Sequence, residues 1–252
     1  MFDKKVVVII PSRYKSTRFP GKPLVDILGK PMVIRVAESS AEAVGKDSVY
    51  VATDDKRIGE RAIEHGFNVI YTSEECLTGT DRVAEASLDI DADVIVNVQG
   101  DEVLLDPSNI LKVIKEKINS ENSVVTCMAK LTPSEDPGDL KTCKVVTNLK
   151  KELMYASRAP IPSSKSGIVE NAYKQICVYA FNKKQLKDYY DKGKQQGKTP
   201  CEYSEDIEII RFLEMGIKVK MVEVEGGTLA VDFPEDVKEV EKILKSKDSM
   251  YK

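Results

Sequence analysis

The chain has a single histidine, His65. That scarcity argues against an imidazole-based zinc site or a histidine-based catalytic triad. His65 lies in AIEHGFNVIYT just before Gly66, where it reads as a structural residue at a helix end. The five cysteines, Cys76, Cys127, Cys143, Cys177 and Cys201, form no CxxC pair and are odd in number. They fit reduced thiols and place the expected compartment in the cytoplasm. No apolar run approaches the roughly 20 residues of a membrane span. Residues 1–10 carry Asp3 and lead straight into a strand pattern, unlike a signal peptide. With 38 basic and 41 acidic residues the formal net charge is −3, so no global field recruits nucleic acid or anionic lipid. Any anion site must therefore be local, with neither nucleic acid nor membrane as a partner. A dinucleotide GxGxxG and a Walker loop are absent too: Lys22 follows Gly21 without the spacer and second glycine a P-loop needs.

What is present is enough for a sizeable core. The 252 residues are 42% hydrophobic and 31% charged, ordinary values for one large α/β domain or a domain with a subdomain. Val6 to Ile10 is an unbroken β-branched run, too short for a buried helix, and reads as a central strand covered on both faces. The composition then flips. Arg13, Lys15, Arg18 and Lys22 follow within ten residues, among Pro11, Pro20, Gly21 and Pro23, which forbid regular structure. A cationic loop at the carboxyl end of a parallel strand suits a polyanion such as a triphosphate; the alternative is a solvated basic turn.

Along the chain, strand, polar loop and helix repeat. Helices are expected over Pro31–Ala43, Lys56–Glu64, a segment from the Thr78–Arg82 loop to Leu88, and Pro107–Ile118, with strands in SVYVATDD, FNVIYTS, DVIVNVQGDEVLL and Ser123–Ala129. The pattern predicts an α/β fold built on a Rossmann-like, doubly wound, mostly parallel sheet. A Pro/Gly/acid-rich link at 132–139 divides a nucleotide-binding part, 1–131, from a smaller part, 132–220. Within that smaller part SEDIEIIRFLEMG reads as one helix closed by Gly216. Residues 221–252, with LAVDFPED as a strand and a final amphipathic helix, return to complete the first part.

Three polar clusters close predicted strands: the basic loop, Gln99 to Glu102, and Asp232 with Glu235 and Asp236. Carboxylates facing a cationic loop fit a Mg²⁺–nucleotide site, because magnesium takes one or two protein carboxylates plus phosphate oxygens and waters. Asp101, directly after Gly100 at a strand exit, is the better ligand of its loop, and Asp232 either lines the crevice or caps. Glu235 and Asp236 suit helix capping.

In order, IPSRYKSTRFPGKPL, VYVATDD, TGTDR, VNVQGDE, YASRAPIP, IRFLEMG and VDFPED resemble the CMP-Kdo synthetases, the 3-deoxy-manno-octulosonate (Kdo) cytidylyltransferases, over nearly the whole chain. The resemblance implies a nucleotidyltransferase that joins CTP to an acidic eight-carbon sugar, as in lipopolysaccharide biosynthesis, and releases pyrophosphate. It implies that Arg13, Arg18 and Lys22, with Ser16, hold the triphosphate, and that Thr78, Gly79, Thr80, Arg82 and Gln99 lie near the cytidine. Asp101 and Asp232 would bind Mg²⁺. Arg158, after Ser157, would face the sugar carboxylate, and Gln175, Tyr179, Glu205 and Glu208 would line the sugar pocket in an acidic series that begins at Glu202. A homodimer using the 132–220 part is also implied.

The sequence departs from that family in one region. Where family members usually read HLGIY and LEQLR, this chain reads Gln175-Ile176-Cys177-Val178-Tyr179 and Ile207-Glu208-Ile209-Ile210-Arg211. The histidine and the glutamine so replaced point at the sugar, which makes a modified acceptor such as 8-amino-Kdo an alternative. Val103 also stands where QGDE is followed by proline. A non-catalytic paralogue would lose phosphate cations or metal carboxylates first, whereas all of them persist. A metal-dependent glycosyltransferase would need a DxD motif, and Asp89-Ile90-Asp91 precedes a strand, where ligands do not gather.

Overall fold

A computed structural model of the chain describes residues 3–16, 19–165, 171–225 and 229–250. Its centre is β1 (Val6–Ser12), whose side chains alternate between two apolar layers. Val8 and Ile10 enter one layer, Val7 and Ile9 the other, and none is more than 4% exposed. Burial on both faces explains why the run carries no polar alternation, and each such side chain contributes about 1.5–3 kcal/mol.

On one side β1 pairs with β4 (Val49–Thr53), which pairs with β5 (Asn68–Tyr71); on the other it pairs with β6 (Val94–Val98), all parallel. Beyond β6 come β10 (Tyr173–Phe181), β7 (Val124–Lys130) and β11 (Val219–Glu223). Since β10 is antiparallel to both β6 and β7, and β11 is parallel to β7, six of the seven strands in this row point one way. The expected mostly parallel sheet is found. The hairpin of β8 (Lys144–Thr147) and β9 (Leu153–Ser157) joins through β10. Segments 1–131 and 132–220 thus share one sheet. A small ribbon, β2 (Asp26–Ile27) and β3 (Lys30–Pro31), lies apart from it.

Helices cover both faces. The apolar sides of α1 (Met32–Val44), α2 (Lys56–Glu64), α4 (Pro107–Asn119) and α8 (Pro234–Met250) share the cluster of Val8 and Ile10. The other cluster takes residues of α3 (Gly79–Ala86), α5 (Lys183–Gln196) and α7 (Ile210–Glu214). His65 ends α2 as expected, its Nδ1 2.9 Å from the Arg61 carbonyl oxygen. All five cysteines are free thiols.

Two expectations need correction. The predicted single helix over SEDIEIIRFLEMG is two: α6 (Pro200–Glu205) and α7, separated by Asp206 in a left-handed conformation, φ 51°. Pro200 and the Thr199–Glu202 capping box start α6 before the predicted segment begins, and the turn at Asp206 ends it. Gly216 does follow the end of α7, with φ 73°. LAVDFPED forms no strand at 229–233; the Val231 N–H bonds Asp101 O beyond β6 at 3.3 Å, and Pro234 then opens α8.

Candidate active site

At the carboxyl edge of β1 the chain turns through Gly21, φ 72°, into a 3₁₀ turn at Lys22–Leu24. A Cβ on Gly21 would lie 3.2 Å from the Tyr14 ring, so both space and dihedral call for glycine. Arg57 packs over that ring, its guanidinium carbon 3.3 Å from the centroid. Positioned this way, the Lys22 ammonium donates to Asp101 Oδ2 at 2.7 Å and to the Val231 carbonyl at 2.8 Å, and lies 3.8 Å from Asp232 Oδ1. Two predicted carboxylates 131 positions apart in sequence thereby converge on one cation, with the Val231–Asp101 backbone bond holding their segments together.

Around this point the predicted residues divide by what they touch. Arg13 is exposed, Ser16 Oγ accepts from the Phe19 N–H at 3.3 Å, and Lys15 pairs with Glu74 at 2.5 Å. Arg18 lies outside the described residues. Asp236 caps α8, accepting from the Asp232 and Phe233 N–H groups at 2.8 Å each, in line with the capping expectation.

A second polar cluster sits where α3 begins. Thr78 caps the helix, accepting from the Asp81 N–H at 3.1 Å. The Glu208 carboxylate accepts from the N–H groups of Gly79 (3.1 Å) and Thr80 (2.9 Å), from the Thr80 hydroxyl (2.5 Å) and from Gln99 Nε2 (3.5 Å). Burial holds its carboxyl above the usual range despite these bonds, with Asp81 pushing the same way. Gly79 is a close approach, since a Cβ there would meet Gln99 Oε1 at 2.9 Å. Arg82 turns elsewhere: buried, it donates to Thr72 Oγ1 at 2.5 Å and Asp54 Oδ2 at 3.1 Å, tying the exits of β4 and β5 together.

Where the sequence predicts the sugar pocket, Glu205 accepts from the Ser157 hydroxyl at 2.7 Å and the Arg158 N–H at 2.9 Å. The Arg158 guanidinium donates to the carbonyls of Glu205, Leu140, Lys141 and Asp206. In this arrangement its donors bind backbone rather than presenting a free fork. Gln175 Nε2 is buried without a partner. Tyr179 is 4% exposed in an apolar layer with Phe181, and burial pushes its phenol well above the ordinary value.

Tyr179, in that apolar layer, and Glu208, at the start of α3, thus sit elsewhere than the sequence placed them, and so do Glu202 and Ile209. Glu202 is fully buried and paired to Arg211 at 2.7 Å, while Arg211 also pairs with Asp81 at 2.7 Å. It holds α6, α7 and α3 together instead of facing a pocket. Ile209 is 1% exposed in the apolar layer, so at this position an amide would enter the core. Sequence reasoning missed Lys144, a lysine inside an apolar strand, which is buried and donates to Asp139 O, Thr142 O and Arg158 O. Its place in CKVV was the available signal.

Among the described residues no three carboxylate, histidine or cysteine groups come together as a metal centre. Asp101 and Asp232 both approach the Lys22 ammonium, at 2.7 and 3.8 Å. Two carboxylates suit an ion that completes its shell with phosphate oxygens and water, as magnesium does.

Comparison with known proteins gives a coherent picture. A family model described as cytidylyltransferase matches residues 7–221. The mitochondrial 3-deoxy-manno-octulosonate cytidylyltransferase of Arabidopsis thaliana is 40% identical over 98% of this chain and 86% of its own length. The 3-deoxy-manno-octulosonate cytidylyltransferase of Christiangramia forsetii is 37% identical over 95% and 97%. Among solved structures, a CMP:2-keto-3-deoxy-manno-octonic acid synthetase complexed with CTP superposes with TM-score 0.88 at 32% identity, covering 96% of this chain and 99% of that one.

Proposed function

For a chain that belongs to the 3-deoxy-manno-octulosonate cytidylyltransferase family, and so is a nucleotidyltransferase, we propose the transfer of a cytidylyl group from CTP to the anomeric hydroxyl of Kdo, with release of pyrophosphate. The observation that carries this reading is the convergence of Asp101 and Asp232 on Lys22 at the carboxyl edge of the sheet. Lys22 and the exposed Arg13, with Arg18 from the same loop, supply positive charge for the triphosphate, opposing the charge that moves onto pyrophosphate as the P–O bond breaks. Asp101 and Asp232 would hold Mg²⁺, which when bound supplies charge neutralisation at the α-phosphate and acidifies the attacking hydroxyl. No histidine base is then required. Gly79, Thr80 and Gln99, fixed by Glu208, border the nucleotide side, and Glu205 keeps the Ser157-Arg158 segment at the acceptor side.

A second reading concerns the acceptor. The neutral amide of Gln175, its Nε2 buried without a partner, stands where the family's histidine is expected, so a possible positive charge is lost there and an acceptor carrying a cationic group is no longer opposed. The alternative substrate is therefore a modified ulosonic acid such as 8-amino-Kdo. No described helix is long and apolar enough to cross a membrane. A homodimer working in the cytoplasm on lipopolysaccharide precursors is the setting proposed here. Pyrophosphate release with CTP, Mg²⁺ and a panel of acidic sugars tests the assignment. Kdo or a close analogue should give turnover with CTP and not with ATP or GTP, and pyrophosphate release that is indifferent to the base would reject it.

A further inference from the structure

Lys22 does more than wait beside the metal carboxylates; its ammonium is bound to them. It reaches Asp101 at 2.7 Å and Asp232 at 3.8 Å, with the three side chains only 17%, 25% and 30% exposed. A divalent ion would bind oxygens of the same two groups at about 2.1 Å. The monovalent and divalent charges would then be neighbours within about 5 Å in a half-buried setting, where repulsion is weakly screened. One must leave, and the lysine is tethered.

Its backbone is fixed by bonds from the Lys22 N–H to Phe19 O at 3.2 Å and from the Val25 N–H to Lys22 O at 3.1 Å, so the movable part is the four-carbon stem. The anion that can draw it away is the triphosphate, which brings its own negative oxygens to the basic loop. We propose that Lys22 is an exchangeable cation: its ammonium neutralises Asp101 and Asp232 in the nucleotide-free protein and blocks a divalent ion there, and nucleotide phosphate releases the carboxylates by taking the ammonium. Metal and nucleotide then bind with positive coupling, each raising affinity for the other. The inference rests on the assignment of Asp101 and Asp232 as metal carboxylates.

Mn²⁺ titrated without nucleotide, followed by the electron paramagnetic resonance signal of the free ion, tests the exchange. Lys22→Met and Lys22→Gln should each bind one Mn²⁺ about tenfold or more tighter than the unmutated protein, as removal of a competing cation demands. Equal affinity in all three overturns the exchange. Adding Asp101→Asn to Lys22→Met should abolish the gain; a gain that survives means the ion is held elsewhere, and the metal assignment itself fails. The unmutated protein supplies a measurement free of folding effects, the nitrogen resonance of the Lys22 ammonium. It should shift on addition of CTP without metal and stay put with millimolar Mg²⁺ alone. A signal that responds to Mg²⁺ alone and ignores CTP overturns the proposal.

Discussion

Thr80 gives both its backbone N–H, at 2.9 Å, and its hydroxyl, at 2.5 Å, to one oxygen of Glu208. The two residues are 128 positions apart, and the contact joins the start of α3 to the turn ahead of α7. A carboxylate predicted for the sugar pocket thereby fixes residues predicted to lie near the nucleotide.

That carboxyl titrates above its ordinary 4.5 because burial disfavours the charged form. The folded state therefore binds its proton more tightly than the unfolded chain does. Its contribution to stability is full below pH 4.5 and is lost as pH rises through the raised folded value. Melting curves from pH 4 to 7 should show the unmutated protein losing ground to Glu208→Gln as pH rises. A gap that widens in favour of the carboxylate would show that its bonds to Gly79 and Thr80 outweigh its burial.

Asp101→Asn should leave the fold intact, since the residue lies on a half-exposed loop, and remove nearly all turnover by weakening the carboxylate pair proposed to hold Mg²⁺. Steady-state pyrophosphate release measures it. A rate within about threefold of the unmutated protein, under roughly 1 kcal/mol in the barrier, would assign the metal to another carboxylate.

Arg211→Met strands two buried carboxylates, Asp81 and Glu202, which are now paired at 2.7 Å each. Urea denaturation should register a loss of about 3–5 kcal/mol, as for other broken buried pairs. A loss below about 1 kcal/mol would mean that water or a local shift satisfies the two acids.

The acceptor-side substitutions should separate. Ile209→Gln puts an amide into a closed apolar layer and should destabilise by about 1–3 kcal/mol without improving use of Kdo. Gln175→His changes the residue whose amide lacks a partner, and should raise kcat/KM for Kdo by about two- to tenfold, the worth of one hydrogen bond of 0.5–1.5 kcal/mol. Improvement from Ile209→Gln in place of Gln175→His would reverse the assignment.

Much of this molecule is determined locally, and that part was legible. The run Val6–Ile10 is buried on both faces, so it carries no alternation and is read as a central strand; α2 spans the predicted residues Lys56–Glu64, between the Asp55 cap and His65-Gly66. Gly21 and Lys22 were legible because a sharp turn and a strand exit both leave a mark on neighbouring residues. The break at Asp206 was not, because its left-handed turn interrupts an apolar spacing that continues across it. Tertiary structure alone decided which acids do what. Glu202, Glu205 and Glu208 recur every three residues in one short stretch, yet they meet Arg211, the Ser157-Arg158 pair and the α3 N-terminus respectively. Likewise Asp101 and Asp232 become a pair only when the chain returns through Val231 to the exit of β6. Spacing along a chain sets the direction of each side chain on its own element, whereas the charge it faces arrives from residues a hundred or more positions away.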